Sequence, residues 1–200
     1  MDGTVDAVES VSSVEERIAV VDAAIRVFSE KSYRRATFKD VADASGLPLD
    51  HIQAHFPTWQ GLVLATVHHW QNLATGRLVH VARDEGILIY MRRLVEDNLQ
   101  NPALARLLLA LLAEATDPTH PNAPYLQTRY EAYHQIIRGG IEHDIAMGRI
   151  PDTVDPVHGA ELIVGLWEGL RMQHLLRPTL DMAAAFDRAL GMLVRDWGVE

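Results

Sequence analysis

Apolar positions recur at helical spacing along most of the chain. Ile18, Val21, Ala24, Ile25 and Phe28 fall on one face and predict a first helix over about 14–31. The capping-box pattern Ser13-Val-Glu-Glu16 stands at its start. Ser32 to Ala36 interrupts the period, and Thr37-Phe-Lys-Asp40 opens a short second helix with Phe38, Val41 and Ala42 inward. Gly46 ends that helix with a residue that tolerates a left-handed backbone. A third short helix is predicted over Leu49 to His55, anchored by Ile52 and Phe56 and stopped by Pro57. Thr58 then caps a fourth, running through Leu62, Ala65, Thr66, His69 and Leu73.

Beyond Gly86 the period stays helical. Segments near 87–99 and 103–115 are bounded by Asn101-Pro102 and Asp117-Pro118. A long helix over about 125–147 follows, with Gly139-Gly140 as the place where it bends, then helices near 157–175 and 180–197. No segment alternates with period two and no internal repeat is visible, so the expected class is all-α. Residues 1–13 carry no period and read as a flexible tail. Residues 14–60 read as a three-helix unit. Residues 61–200 read as a larger helical domain.

A long helix, a short helix, a Gly-containing turn and another short helix are the order of a helix-turn-helix DNA-binding domain. The major groove of duplex DNA admits one α-helix, and a second helix must brace it against the phosphates. Phe38, Val41, Ile52 and Phe56 are the expected small core holding the two short helices at their angle. The turn at Ala44-Ser45-Gly46 sets that angle.

Several runs carry a family resemblance. Ile18-Ala-Val-Val-Asp22-Ala-Ala-Ile-Arg-Val-Phe28 resembles the first helix of TetR/AcrR transcriptional regulators. Tyr33, Thr37-Phe-Lys-Asp-Val-Ala42 and Ala44-Ser-Gly-Leu47 resemble their second helix and turn. His55-Phe-Pro57 with Leu62 resembles the end of their recognition helix and the start of the fourth. Gly148-Arg-Ile-Pro-Asp152, Gly159-Ala-Glu-Leu and Leu166-Trp-Glu-Gly-Leu170 resemble the later loop and penultimate helix. The resemblance implies a DNA-binding regulator, a repressor by expectation, that grips a pseudo-palindromic double-stranded operator as a homodimer and is released by a small-molecule effector. The implied DNA-binding residues are Arg34, Arg35, Thr37, Lys39, Pro48, Leu49, Asp50, His51, Gln53 and His55.

The chain departs from that pattern on its reading face. The Lys usual early in the recognition helix is Leu49, the usual Tyr is Gln53, and a Lys common early in the fourth helix is Trp59. Each missing cation removes a released counterion. Asp50 favours the helix N-terminus but repels phosphate. Two readings follow. In one, Gln53 and His51 read base edges while Arg34, Arg35 and Lys39 hold the backbone. In the other, the protein is a helical small-molecule sensor or interaction module whose DNA binding is weak or lost.

In the last two helices, Leu162, Ile163, Leu166, Trp167 and Leu170, and Met182, Phe186, Leu190, Leu193 and Val194, are apolar beyond one stripe. Such helices bury two faces, one inside the subunit and one elsewhere; the resemblance implies that the second meets a second copy, the alternative being a well-buried monomer core, and Gly159, Gly165 and Gly169 permit close approach. Trp70, Tyr90, Tyr130, Tyr133, His134, Trp167 and Arg171 are the candidate ligand-binding residues, apolar surfaces with polar tips. No cofactor is expected.

Composition narrows the alternatives. The net charge of −9 argues against coating nucleic acid by charge alone. Residues 12–60 hold six basic and seven acidic side chains, a near-neutral module on an acidic chain. With no cysteine there are no disulfides and no thiolate chemistry. The ten histidines are scattered, and the one i,i+4 pair, His51 and His55, lies on the expected reading helix, so no metal site is expected. No nucleophile elbow, phosphate loop or dinucleotide motif points to an enzyme. No apolar run reaches ~20 residues and the start lacks a signal-peptide pattern, so a cytoplasmic protein without membrane contact is expected.

Overall fold

The computed structural model describes residues 3–199, with side chains from Ser13 onward. The described residues form nine α-helices: α1 Gly3–Glu30, α2 Phe38–Ser45, α3 Leu49–His55, α4 Trp59–Asp84, α5 Ile87–Leu99, α6 Pro102–Glu114, α7 Ala123–Ala146, α8 Pro156–Leu176 and α9 Met182–Asp196. They contain no strand. The chain forms two compact units, one of residues 1–73 and 103–107, the other of residues 74–102 and 108–200. Helices α4 and α6 therefore each contribute residues to both.

The first unit grows from α1. That helix runs straight through Ser13, so the Ser13–Glu16 pattern is not a helix start. The sequence from Thr4 to Ser13 holds no Pro or Gly that would end it. The tail expected over 1–13 falls on Met1 and Asp2, which lie outside the described residues, and on a helical backbone whose side chains lie outside them too. The buried stripe is Val20, Val21, Ala23, Ala24 and Phe28, while Ile18 is 46% exposed and Ile25 half-buried. Small Ala23 and Ala24 let α2 and α3 approach α1 closely, and Val41, Ile52, Phe56, Leu62 and Val63 close the core.

Thr37 and Asp40 make the expected capping box at α2. Asp40 Oδ2 accepts from the Thr37 amide at 2.7 Å, and the Thr37 hydroxyl accepts from the Asp40 amide at 3.3 Å. Lys31 Nζ donates to both Asp40 oxygens at 2.9 Å, tying the exit of α1 to the entry of α2. Gly46 ends α2 at φ +73°, with its amide on the Ala42 carbonyl at 2.9 Å. Thr58 Oγ1 accepts from the Gly61 amide at 3.1 Å, the cap expected for α4.

The second unit packs α5, α7, α8 and α9 around Ile87, Ile137, Ile141, Ile163 and Phe186, each 1% exposed or less. Its organising polar group is Asp144 on α7, which is buried. Asp144 Oδ2 accepts from the Ile87 amide at 2.7 Å, capping α5 from outside its own sequence, and Oδ1 accepts from Arg149 Nε at 2.9 Å. Helix α7 is continuous through Gly139-Gly140, as the long helix over about 125–147 required. A Cβ at Gly140 would lie 2.5 Å from Ile87 Cδ1, so this glycine gives α5 room against α7.

Candidate nucleic-acid interface and a buried polar cluster

Helix α3 offers a reading face because so little of it is needed inside. Ile52 is fully buried and His55 half-buried, while Pro48, Leu49, Asp50, His51, Gln53 and Ala54 are exposed. Its first turn has Pro48 at the cap position with no side-chain cap bond. Asp50 Oδ1 accepts from the His51 amide at 3.1 Å.

Helix α1 holds α2 and α3 by their C-terminal ends. Arg26 Nη2 donates to the Ala44 carbonyl at 2.9 Å, and Arg17 Nη1 to the His55 carbonyl at 2.8 Å. Both guanidinium groups meet the negative end of a helix dipole. The Arg17 group also lies 4.1 Å from the centre of the Phe56 ring. Beside it, Glu16 Oε2 lies 3.2 Å from His55 Nε2 and 3.5 Å from His51 Nδ1. The hydrogen bond from His55, followed by the pull of His51, holds the Glu16 carboxyl below its ordinary value. The i,i+4 histidines thus share a carboxylate of α1. Arg17 and Arg26 escaped the sequence reading, and Glu16 was read as a helix cap. On a helix surface the two arginines look like ordinary solvated charges, and only the packing of α2 and α3 brings their last turns to α1.

The other candidate DNA contacts lie in the connection from α1 to α2 and in the first turn of α2. Arg34 and Arg35 are exposed, with Arg34 Nε donating to the Tyr33 hydroxyl at 3.1 Å. Lys39 is 75% exposed and pairs with Asp43 at 2.7 Å one turn on, which raises its pKa. Thr37 is engaged in the capping box. Trp59, where a cation was the expected type, sits edge-on to Phe28 and Phe38 at 5.6 Å and 5.2 Å between ring centres. It is half-buried and packs at the edge of the core.

Six of the seven candidate ligand residues fall in the second unit; Trp70 lies in the first and is buried there. Arg171 is 3% exposed, its guanidinium paired with Glu168 one turn back and 5.4 Å from the Trp167 ring centre. Its Nε is buried with no acceptor in reach. Tyr133 donates only to the Met91 sulfur, at 3.8 Å, and burial holds its phenol protonated well beyond its ordinary value. The same raised value reflects charge or dipole contributions from Tyr90, Glu168, Arg171 and Tyr130, so these groups share one neighbourhood. Tyr130 is 36% exposed and meets the His134 ring edge-on at 5.1 Å. Tyr90 is buried, with its hydroxyl bonded to Thr75. Burial raises Glu168 above the usual carboxylate range, against the opposing pull of Arg171. Glu168 was missed because a Glu three residues before an Arg reads as a solvated pair.

The sequence over residues 20–66 matches a family model described as bacterial regulatory proteins, tetR family. No curated protein sequence matches the chain. Solved structures share its fold. A putative TetR-family transcriptional regulator from Rhodococcus sp. is 21% identical with a TM-score of 0.71, covering 90% of this chain and 97% of the other. A putative transcriptional regulator from Saccharomonospora viridis in complex with choline is 22% identical with a TM-score of 0.72, covering 91% and 96%. The regulator FadR from Bacillus subtilis in complex with stearoyl-CoA is 16% identical with a TM-score of 0.67, covering 88% and 97%.

Proposed function

We propose that this chain, whose residues 20–66 match the tetR-family model and whose fold is shared with solved regulators, is a ligand-responsive repressor of the TetR type that binds a pseudo-palindromic operator as a homodimer. The observation that carries this reading is α3: one buried anchor, a row of exposed residues, and arginines of α1 clamping the ends of both short helices. In this reading His51 and Gln53 meet base edges, and Arg34, Arg35 and Lys39 meet phosphates.

The homodimer is supported by α8. Leu162, Met172 and Leu176 are 52%, 51% and 73% exposed on this helix. Gly165 and Gly169 are exposed between them, and a Cβ at either would touch nothing of this chain. A row of large apolar and glycine residues facing outward is suited to a second helix packed closely upon it. Two copies then present two reading helices to two half-sites.

Effector binding is assigned to the second unit, where the polar cluster around Arg171 lies. The likeness to regulators solved with choline and with stearoyl-CoA supports a small-molecule effector in general, without specifying its class. Because α4 contributes residues to both units, a ligand-dependent change at its second half is transmitted along one helix. DNA and effector then weaken each other's binding by the same factor.

The alternative of a sensor with lost DNA binding keeps one observation in its favour. Leu49 is an exposed apolar residue where a cation is usual, and Trp59 is held against Phe28 and Phe38. Selection of bound duplexes from a random pool separates the two. A repressor enriches a palindrome with half-sites about one helical turn or a multiple apart. No enrichment at low salt refutes DNA reading, and a single unpaired half-site refutes the dimer.

A further inference from the structure

A buried guanidinium with one engaged arm and one idle donor states what it lacks. Arg171 and Glu168 neutralise each other, so the neighbourhood is already balanced in charge. Arg171 Nε is buried without an acceptor, and the Tyr133 hydroxyl has only a thioether partner. A protein interior rarely leaves a charged donor in that condition, because the desolvation is uncompensated. Trp167 lies beside the guanidinium, and the phenols of Tyr133 and the half-open Tyr130 are near enough to feel the charges of Arg171 and Glu168.

A cation added here would find its carboxylate already taken by Arg171. An anion would face Glu168 and require that carboxyl to be protonated or displaced. An uncharged ligand with an acceptor oxygen meets neither obstacle. Its oxygen accepts from Arg171 Nε and the Tyr133 hydroxyl while its apolar body lies against the aromatic rings. Tyr130, the most exposed member, and Glu168, with a fifth of its side chain exposed, are where solvent reaches the cluster.

We propose that the effector recognised at Arg171 and Tyr133 is an uncharged, apolar-bodied molecule bearing a carbonyl-type oxygen. This rests on the reading that the second unit binds an effector, and it adds the chemical class. Three probes of matched shape test it by calorimetry on the full chain: 4-phenyl-2-butanone, 4-phenylbutanoate and phenethyltrimethylammonium. The ketone is expected to bind at least about tenfold more tightly than either ion, the worth of one well-placed hydrogen bond to a charged donor. E168Q/R171M, which removes both charges together, should weaken the ketone about tenfold or more. Tyr133→Phe, which keeps the ring, should weaken it about threefold to tenfold.

Preference for the carboxylate or the ammonium overturns the class while leaving effector binding in place. Ketone binding unchanged in both variants places the ligand elsewhere and overturns the site. If none of the three binds, this proposal falls. The effector reading itself is then judged separately, by whether any molecule in a wider library shifts the melting temperature of the wild type and releases selected DNA.

Discussion

Replacing Trp59 by Lys restores the residue type usual at that position in the resemblance, and the structure says this will harm rather than help. The indole is held edge-on between Phe28 of α1 and Phe38 of α2, at 5.6 Å and 5.2 Å between ring centres. Each such aromatic pair contributes about 0.5–1.5 kcal/mol beyond its buried area, so the two together contribute about 1–3 kcal/mol. Truncating a fully buried Trp costs about 3–5 kcal/mol. Trp59 is half-buried, and a lysine stem retains some cover, so Trp59→Lys is expected to cost about 2–3 kcal/mol. Trp59→Phe, which keeps a ring, is expected to cost about half as much. The readout is amide hydrogen exchange in α2 and the first turns of α4, alongside urea unfolding followed by circular dichroism. On DNA, Trp59→Lys should bind no more tightly than wild type, and its salt slope should not steepen. A cost below about 0.5 kcal/mol, or a slope steeper by about one unit, refutes the reading that Trp59 serves packing against Phe28 and Phe38.

Four further outcomes are expected. Asp40, held at about 2 by Lys31 first and then Thr37 against an ordinary 3.8, gives stability that is present above about pH 4. That stability is lost as pH falls through about 2, and an acid titration of Asp40→Asn should lack this limb. Gly46→Ala should destabilise the first unit by about 1–2 kcal/mol in denaturant melts. Its φ of +73° is unfavourable for a Cβ, although the space around it is open, so Gly46→Asn should cost less. Asp144→Ala strands the Ile87 amide and Arg149 together and should cost about 3 kcal/mol, with protection lost first at the start of α5. In salt titrations on selected DNA, Lys39→Ala should lower the slope by about one unit for every sequence. Gln53→Ala should leave the slope and relax preference at particular base pairs.

The sequence by itself determined the helices and the three-helix order of the first unit, because those depend on local physics. The period of apolar residues, the Thr37–Asp40 box and Gly46 each act within a few residues, and they specify α2 and α3 to within a residue or two. The same locality explains the misreading at Ser13: a cap pattern is a start signal only where the chain before it has stopped being helical. Which polar residues meet depended on tertiary structure alone. Arg17, Arg26 and Glu16 lie more than fifteen residues from the groups they hold. Asp144 caps a helix that begins 57 residues earlier. Glu168 changes from a surface-type acid to a half-buried partner of the buried Arg171 only in the packed unit. Trp59 was a missing cation in the sequence and became a half-buried packing residue between two aromatic rings in the structure. Such pairings fall outside any window a periodicity can see, since they are chosen by packing between distant segments and by the desolvation that packing imposes.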